Sequence, residues 1–175
     1  ADKDAIADEL AKIVTADKFW GVRLEGATAL ADISGKNVRS ALLAATKDQR
    51  SKVRARAIAS LASSKDPALA SVYQEFLRDQ SYAVIRAAAL ALGQTKAPTA
   101  FDSLVKLVDE PSWHNTIRVS ALSGLTELSD KRALEVALKY AAAGDYPQVR
   151  IAGAKLLTVV GKGDPHAFAL ASANL

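Results

Sequence analysis

The sequence predicts an all-α fold, an α-α superhelix (a right-handed solenoid) of about five helix pairs followed by one terminal helix. The first observation is a repeat: five times a Val or Ile stands eight residues before a Leu. These anchors are spaced 31, 31, 33 and 32 residues apart, at Val22, Val53, Val84, Ile117 and Val149. Such a period is typical of stacked-repeat proteins. The second observation is composition: 50% of residues are hydrophobic but only 6% are aromatic, and Ala dominates, which favours closely packed helices over strands.

Each period is predicted to be two helices joined by a tight turn, and the whole chain, 1–175, to be a single solenoid. We place the repeats at approximately 1–34, 35–64, 65–95, 96–128 and 129–161, with a partial sixth unit at 162–175. The first helices are predicted at 3–15, 37–47, 67–78, 98–109 and 130–143. The second helices are predicted at 19–33, 51–63, 81–93, 113–128 and 146–160.

Apolar stripes and helix-end residues justify these elements in chain order. Ile6, Leu10 and Ile13 have the spacing of a one-sided helix, and later first helices carry similar stripes. Proline is expected at helix starts and glycine at helix ends. The prolines are Pro67, Pro98 and Pro165, and the glycines are Gly35, Gly93, Gly144 and Gly161. The polar N-terminal helix is expected to cap the stack, whereas the mostly apolar C-terminal segment is not.

Each second helix carries a packing pattern on one face. The small residue four after each anchor is Gly26, Ala57, Ala88, Ala121 or Gly153, and the Leu four further on is Leu30, Leu61, Leu92, Leu125 or Leu157. Positions zero, four and eight lie on one side of a helix. We therefore expect the small residue to let the adjacent helix approach while the larger side chains fill the layer.

Charged residues accompany the anchors. Arginine follows the anchor at Arg23, Arg54, Arg118 and Arg150, but the third unit has Ile85 there and Arg86 one residue later. An aspartate precedes the second helix at Asp17, Asp48, Asp79 and Asp145, where it can cap helix N–H groups. Each Arg could pair with the Asp of an adjacent unit, forming a charged ladder; alternatively, the arginines form an anion-binding stripe.

These residues resemble the HEAT-like repeats, in particular the short type first named from phycobilisome lyases. The consensus, approximately D-x-x-x-x-V-R-x-x-A-x-x-A-L-G, is matched by DQRSKVRARAIASLAS at 48–63 and DQSYAVIRAAALALGQ at 79–94. The resemblance covers essentially the whole chain and implies a HEAT/ARM-like solenoid that works by presenting a surface.

A narrower resemblance concerns residues 17–33, DKFWGVRLEGATALADI. They are similar to the first repeats of the HEAT-like region that follows the catalytic part of some bacterial aminopeptidase N-like zinc metallopeptidases. This resemblance implies that the chain is a fragment of such a protein. The lack of any Met also favours a piece of a longer protein, although removal of an initiator Met before Ala1 is an alternative.

Catalytic motifs are missing from the sequence. A zinc aminopeptidase needs HExxH, whereas the two histidines here, His114 and His166, are 52 residues apart. There is no Cys, no G-x-S-x-G motif and no Gly-rich phosphate loop. We therefore expect a noncatalytic chain without metal or cofactor, whose parent protein could carry catalysis elsewhere.

Aromatic residues recur just before the anchors and are candidates for partner binding. The candidate set is Phe19, Trp20, Tyr82, Trp113, His114 and Tyr146, in which Trp113 and His114 belong to a lengthened turn, EPSWHNT at 110–116. One interpretation is that the rings cover the hydrophobic layer at the edge of the turn. The other is that they form an exposed ridge that binds a protein or another domain of the same polypeptide.

The second helices are more basic than the rest of the chain, whose formal net charge is +4. They carry Arg23, Lys52, Arg54, Arg56, Arg86, Arg118, Arg150 and Lys155 against Glu25, Asp32 and Glu127. Nucleic-acid or other polyanion binding is the alternative function, less favoured because ladder arginines can be neutralised internally. No apolar run has the roughly 20 residues of a membrane span, and the acidic start does not resemble a secretory signal, which favours the cytoplasm.

Overall fold

The computed structural model describes residues 3–142, 146–163 and 167, and it is an all-α superhelical solenoid of about ten helices, which confirms the predicted fold class. The first helices of the pairs are α1 (Lys3–Ala16), α3 (Lys36–Ala45), α5 (Ala70–Glu75), α7 (Ala100–Val108) and α9 (Leu134–Ala141). The second helices are α2 (Trp20–Ala29), α4 (Ser51–Ala62), α6 (Tyr82–Gln94), α8 (Thr116–Leu128) and α10 (Pro147–Val160). Short 3₁₀ helices occupy Leu30–Asp32, Pro67–Leu69, Phe76–Arg78, Trp113–Asn115 and Lys131–Ala133.

The second helices form one continuous layer. Helix α2 packs on α4, α4 on α6, α6 on α8, and α8 on α10. The first helices pack on their partners, and α1 also contacts α3, as α5 contacts α7. The predicted terminal helix at 162–175 falls mostly outside the described residues, and the predicted repeat boundaries stay a prediction.

The predicted packing pattern forms the core, with three exceptions, one of which is the anchor Ile117, which is only half-buried. Val53, Val84 and Val149 are fully buried, as are most of the small residues and leucines at the other positions of the pattern. The prediction is wrong for Val22, which is 40% exposed: α2 packs on α1 and on a single neighbouring second helix, α4, whereas α4, α6 and α8 each pack on two second helices. In α10 the fully buried leucine is Leu156 and not the expected Leu157, which is half-buried.

Gly93 does not end a helix as predicted; it lies inside α6 and is buried. A Cβ built on Gly93 would stand 2.1 Å from the carbonyl oxygen of Gly124 in α8. A Cβ on Gly124 would stand 2.5 Å from the carbonyl oxygen of Ala89. The two backbones therefore touch directly, and glycine is needed at this crossing for close approach.

Other helix ends also differ from the glycine and proline expectations. Gly35 is the N-cap of α3 and not the end of a helix, whereas Gly161 is the C-cap of α10 as expected. The ends of α4, α6 and α8 are followed by left-handed residues that are not glycine, Lys65, Lys96 and Ser129. The ammonium group of Lys96 donates to the carbonyl of Leu128 at 3.2 Å and so caps the end of α8. Gly144 and Pro165 lie outside the described residues.

Candidate functional site

The arginines after two anchors form a repeated inter-unit hydrogen-bond pattern. Arg54 donates from Nε and Nη2 to the two carboxylate oxygens of Asp79 at 2.9 and 2.8 Å, and from Nη1 to the carbonyls of Asp48 and Gln49. Arg23 does the same one unit earlier, with Asp48 at 2.6 and 3.0 Å. All three guanidinium nitrogens are engaged in each case, so neither arginine presents a free charge.

The aspartates of these pairs also organise the turns before the second helices. Oδ1 of Asp48 accepts the backbone N–H of Arg50 at 2.8 Å, and Oδ1 of Asp79 accepts that of Ser81 at 2.8 Å. Arg50 and Ser81 are themselves the N-cap residues, so the carboxylate binds the cap residue and not the helix N–H groups that we expected it to cap. The reason is position: each Asp lies three residues before its helix, which is the geometry of an Asx turn.

Both carboxylates are held in the ionised form. Hydrogen bonds from the Arg23 guanidinium lower the pKa of Asp48 below its usual range against the opposing effect of burial. At Asp79 burial raises the pKa, but the hydrogen bonds from Arg54 and Ser81 and the charge of Arg54 outweigh it, so the net pKa is lowered. The pairs are therefore charged and internally neutral at physiological pH.

The pattern stops at the third unit. Ile85 occupies the position of the ladder arginine and is 4% exposed, while Arg86 is exposed and forms no ion pair with a described residue. On the next unit the position of the ladder aspartate is taken by Ser112, whose hydroxyl accepts the N–H of Ile117 at 2.9 Å. At this junction an isoleucine and a serine thus replace the charged pair.

The remaining ladder residues have different environments. Arg118 donates to the carbonyl of Val108 at 3.0 Å and to the side chain of Asn115, and its guanidinium lies 5.2 Å from the centre of the Tyr140 ring. Arg150 is exposed and makes no ion pair within the part of the chain that the structure describes. Asp17 accepts the N–H of Phe19 at 2.8 Å, and Asp145 lies outside the described residues.

The predicted partner-binding residues form a row at the N-terminal ends of the second helices, which we call the aromatic edge: Phe19, Trp20, Tyr82, Trp113, His114 and Tyr146. Four of its rings are unusually exposed: Trp113 by 74%, Phe19 by 60%, Tyr146 by 59% and Tyr82 by 41%. Trp20 is half-buried, lies 5.7 Å from the Phe19 ring and is covered by the ammonium group of Lys52 at 5.2 Å. The interpretation that the rings cover the hydrophobic layer therefore fits Trp20 better than it fits the four exposed rings.

The lengthened turn holds Trp113 in a defined position. The backbone N–H of Trp113 donates to the Tyr82 hydroxyl at 3.3 Å, and its carbonyl accepts the Thr116 hydroxyl at 2.7 Å. The His114 ring meets the indole edge-on at 4.6 Å. His114 and Asn115 both have left-handed backbones, with φ of 50° and 56°, which costs of order 1–2 kcal/mol for each residue. The turn thus stores strain while presenting an indole to solvent.

A shallow groove on the second helices was missed by the sequence analysis. It lies across α6, α8 and α10, encloses about 380 Å³, and is lined by Leu90, Val119, Ile151 and Lys155 among others. Ile151 is 57% exposed. The signal in the sequence is an apolar residue two positions after the anchor, at Val119 and Ile151, outside the buried face of the helix.

Chemistry-bearing clusters are few in the described chain. Within residues 3–142, 146–163 and 167, no group of three His, Asp or Glu side chains comes close enough to hold a metal ion. No described helix is both long enough and apolar enough to cross a membrane. Tyr73 is fully buried and burial raises its pKa, yet its hydroxyl has no hydrogen-bond partner among the described groups.

Comparisons with known proteins agree on the repeat type. Residues 7–75 and 69–158 match the family described as HEAT repeats. No curated protein sequence matches significantly. Among solved structures, the chain is similar to the complex of CpcE and CpcF of phycocyanin lyase from Nostoc sp. PCC7120. That likeness has 26% identity and a TM-score of 0.67, and it covers 86% of this chain and 96% of that chain.

An engineered protein is also similar, with 19% identity, a TM-score of 0.63 and coverage of 97% of this chain and 85% of that chain. At this identity the likeness concerns the fold alone. The aminopeptidase N-like origin of residues 17–33 gains no support from these matches.

Proposed function

The chain belongs to the HEAT-repeat family, and we propose that it is a noncatalytic scaffold that binds a protein partner, or another domain of its own polypeptide, through the aromatic edge. The observation that carries the proposal is the exposure of four rings at equivalent ends of stacked helices, with Trp113 at 74%. Aromatic residues dominate the energetics of protein interfaces because they bury large areas at low entropic cost.

The rigid setting of Trp113 supports this proposal. Its backbone is tied to Tyr82 and Thr116, so little further order has to be imposed when a partner covers the ring. Backbone strain of the kind found at His114 and Asn115 clusters at functional sites. The similar phycocyanin lyase structure is itself a complex of two proteins, CpcE and CpcF, which supports a protein as the partner.

Site-specific photo-crosslinking tests the proposal. A photoreactive phenylalanine analogue replaces Tyr82 or Trp113 in the full chain, and a matched variant carries it at Glu135, an exposed residue of α9. After irradiation in an extract of the source cells, we expect one protein to be joined at Tyr82 and Trp113 and not at Glu135. Equal adducts at all three positions, or none at the aromatic edge, would refute it.

Polyanion binding by the second helices is less well supported. Arg23 and Arg54 are fully engaged with Asp48 and Asp79, which removes two of the cations on which that alternative relied. A heparin-column or DNA-shift titration separates the two functions, because salt-sensitive binding at physiological ionic strength favours the polyanion.

The parent protein of the scaffold is a separate proposal. Membership of an aminopeptidase N-like metallopeptidase rests only on the resemblance of residues 17–33, and the flanking coding sequence tests it. An HExxH motif upstream would establish that parent, and a peptidase assay on this chain alone should be blank.

A further inference from the structure

We propose that the surface of α4, α6, α8 and α10 binds an acidic, amphipathic helical segment of the partner. Its carboxylates would pair with Lys52, Arg56 and Arg86, and its apolar residues would lie on Leu90, Val119 and Ile151. This inference rests on the proposed function only in that the partner is a protein. We call the six residues the second-helix surface, which includes part of the groove across α6, α8 and α10.

Arg86 is exposed on α6, one helical turn before the groove residue Leu90, because the third unit breaks the ladder. The arginine has moved by one residue, from the ladder position that Ile85 now fills to the position two after the anchor. Val119 and Ile151 occupy that same position in α8 and α10, and both line the groove. The shift therefore replaces an internally paired cation with an exposed one at the register position that lines the groove in α8 and α10.

Two further cations stand on the neighbouring helix. Lys52 and Arg56 of α4 have the register positions of Gln148 and Ala152 in α10, both of which line the groove. Both side chains are exposed, and neither makes an ion pair with any residue in the described ranges. Helix α4 packs directly on α6, so these cations and Arg86 form one positive region.

The other half of the second-helix surface is apolar. Leu90 and Val119 are half-buried, and Ile151 is 57% exposed beside Lys155. Covering an isoleucine this exposed is favourable, by roughly 25 cal/mol for each Å² of apolar surface removed from water. The second-helix surface therefore has a positive half, with Lys52, Arg56 and Arg86, and an apolar half, with Leu90, Val119 and Ile151.

This combination fits a peptide helix better than a nucleic acid. A phosphate backbone needs cations along its whole path, whereas the apolar half offers it no partners and Glu127 borders the groove there. A peptide helix matches both halves when the face that it lays on the surface carries carboxylates at one end and apolar side chains at the other. Adjacent helices are about 8–10 Å apart, so crossing from α4 to α10 needs roughly 27 Å, or about 18 helical residues.

A synthetic peptide of that length tests the inference on the full chain. The probe carries Glu on one face of its first half, Leu on the same face of its second half, Ala elsewhere, and a fluorophore. The comparison probes are the same peptide with Gln for Glu, one with Ser for Leu, and a DNA duplex of similar length. Fluorescence anisotropy measures affinity, and amide chemical shifts locate the peptide on the protein.

We expect the Leu/Glu peptide to bind more tightly than every comparison probe and to shift amides of α6, α8 and α10. Arg86→Ala should weaken it about 1.4-fold to fivefold, the range for one exposed ion pair, and Ile151→Ser should also weaken it. The matched control is Arg78→Ala, an exposed arginine at the end of the 3₁₀ helix Phe76–Arg78, which should leave the affinity unchanged. Arg86→Glu should weaken the Leu/Glu peptide more than Arg86→Ala does and should reduce its preference over a peptide with Lys in place of Glu, because Lys52 and Arg56 remain positive.

Lack of binding, or equal binding by Arg86→Ala and wild type, would overturn the inference, as would tighter binding of the duplex. The proposed function is tested independently at the aromatic edge. If a partner is crosslinked at Trp113 but the Leu/Glu peptide does not bind, the scaffold proposal stands and this inference fails. If the peptide binds but nothing is crosslinked at the aromatic edge, this inference stands and the scaffold proposal fails.

Discussion

Arg54→Ala is the substitution that most directly measures how adjacent units are joined. Arg54 makes two hydrogen bonds to Asp79 and two to backbone carbonyls, and the side chains of the pair are 18% and 11% exposed. Removing one partner of a fully buried ion pair costs about 3–5 kcal/mol of stability. Water can still reach the pair of Arg54 and Asp79, so the cost here lies at the lower end of that range. We therefore expect a loss of about 3 kcal/mol in the free energy of unfolding, which for a chain of this size lowers Tm by roughly 6–12 °C.

The assay is urea unfolding followed by circular dichroism at pH 7. The matched control is Arg56→Ala, on the same helix but exposed and without an ion pair among the described residues, which should change stability little. Asp79→Ala and the double variant complete a cycle, in which the two losses should be less than additive by about 1.5–2 kcal/mol. An additive cycle, or an equal loss in Arg56→Ala, would refute the view that the pair joins units two and three.

Three further predictions concern the ladder, the helix crossing and the core. Folding lowers the pKa of Asp48 and Asp79, so the contribution of the ladder to the free energy of unfolding is complete above about pH 4 and declines as the pH falls further. Asp79→Asn should therefore lose less stability than wild type between pH 7 and pH 3. An equal loss in urea titrations at the two pH values would contradict this. Gly93→Ala forces α6 and α8 apart by about 1 Å and should lower the free energy of unfolding by about 1–3 kcal/mol. The control is Gly21→Ala, whose new methyl group meets only the exposed Phe19 ring and which should be neutral or stabilising in thermal melts. Equal melting temperatures of the two variants would count against direct backbone contact between α6 and α8. Tyr73→Phe removes a buried hydroxyl without a described partner and should raise the free energy of unfolding by about 1 kcal/mol, whereas a loss would indicate a bound water at that hydroxyl.

Sequence periodicity predicted the helices well because each unit repeats the same one-sided apolar pattern. The predicted second helix at 51–63 is observed at Ser51–Ala62, and the predicted one at 146–160 at Pro147–Val160. The errors arose where a residue has more than one structural use. Gly93 was expected to end α6, but it lies within the helix because the backbone of α8 passes too close for a Cβ.

The candidate site could be predicted only in part. Placement of the aromatic residues before the anchors identified the row that includes Tyr82 and Trp113, but nothing in the spacing distinguished exposed rings from covering ones. Exposure depends on the neighbouring unit, which leaves Trp113 74% exposed while Trp20 is half-buried. The groove around Ile151 escaped notice because it is assembled from three helices.

By itself, the sequence determined the helix pairs, their stacking period and the identity of the repeat, since these follow from local patterns that recur in every unit. Only the tertiary structure decided which charges are paired and which are open. The sequence shows that Arg86 is shifted by one residue relative to Arg54, but only the structure shows that Arg54 binds a carboxylate of the next unit while Arg86 is exposed. The physical reason is that a shift of one residue turns a helical side chain by about 100°, so its environment depends on the helix packed beside it.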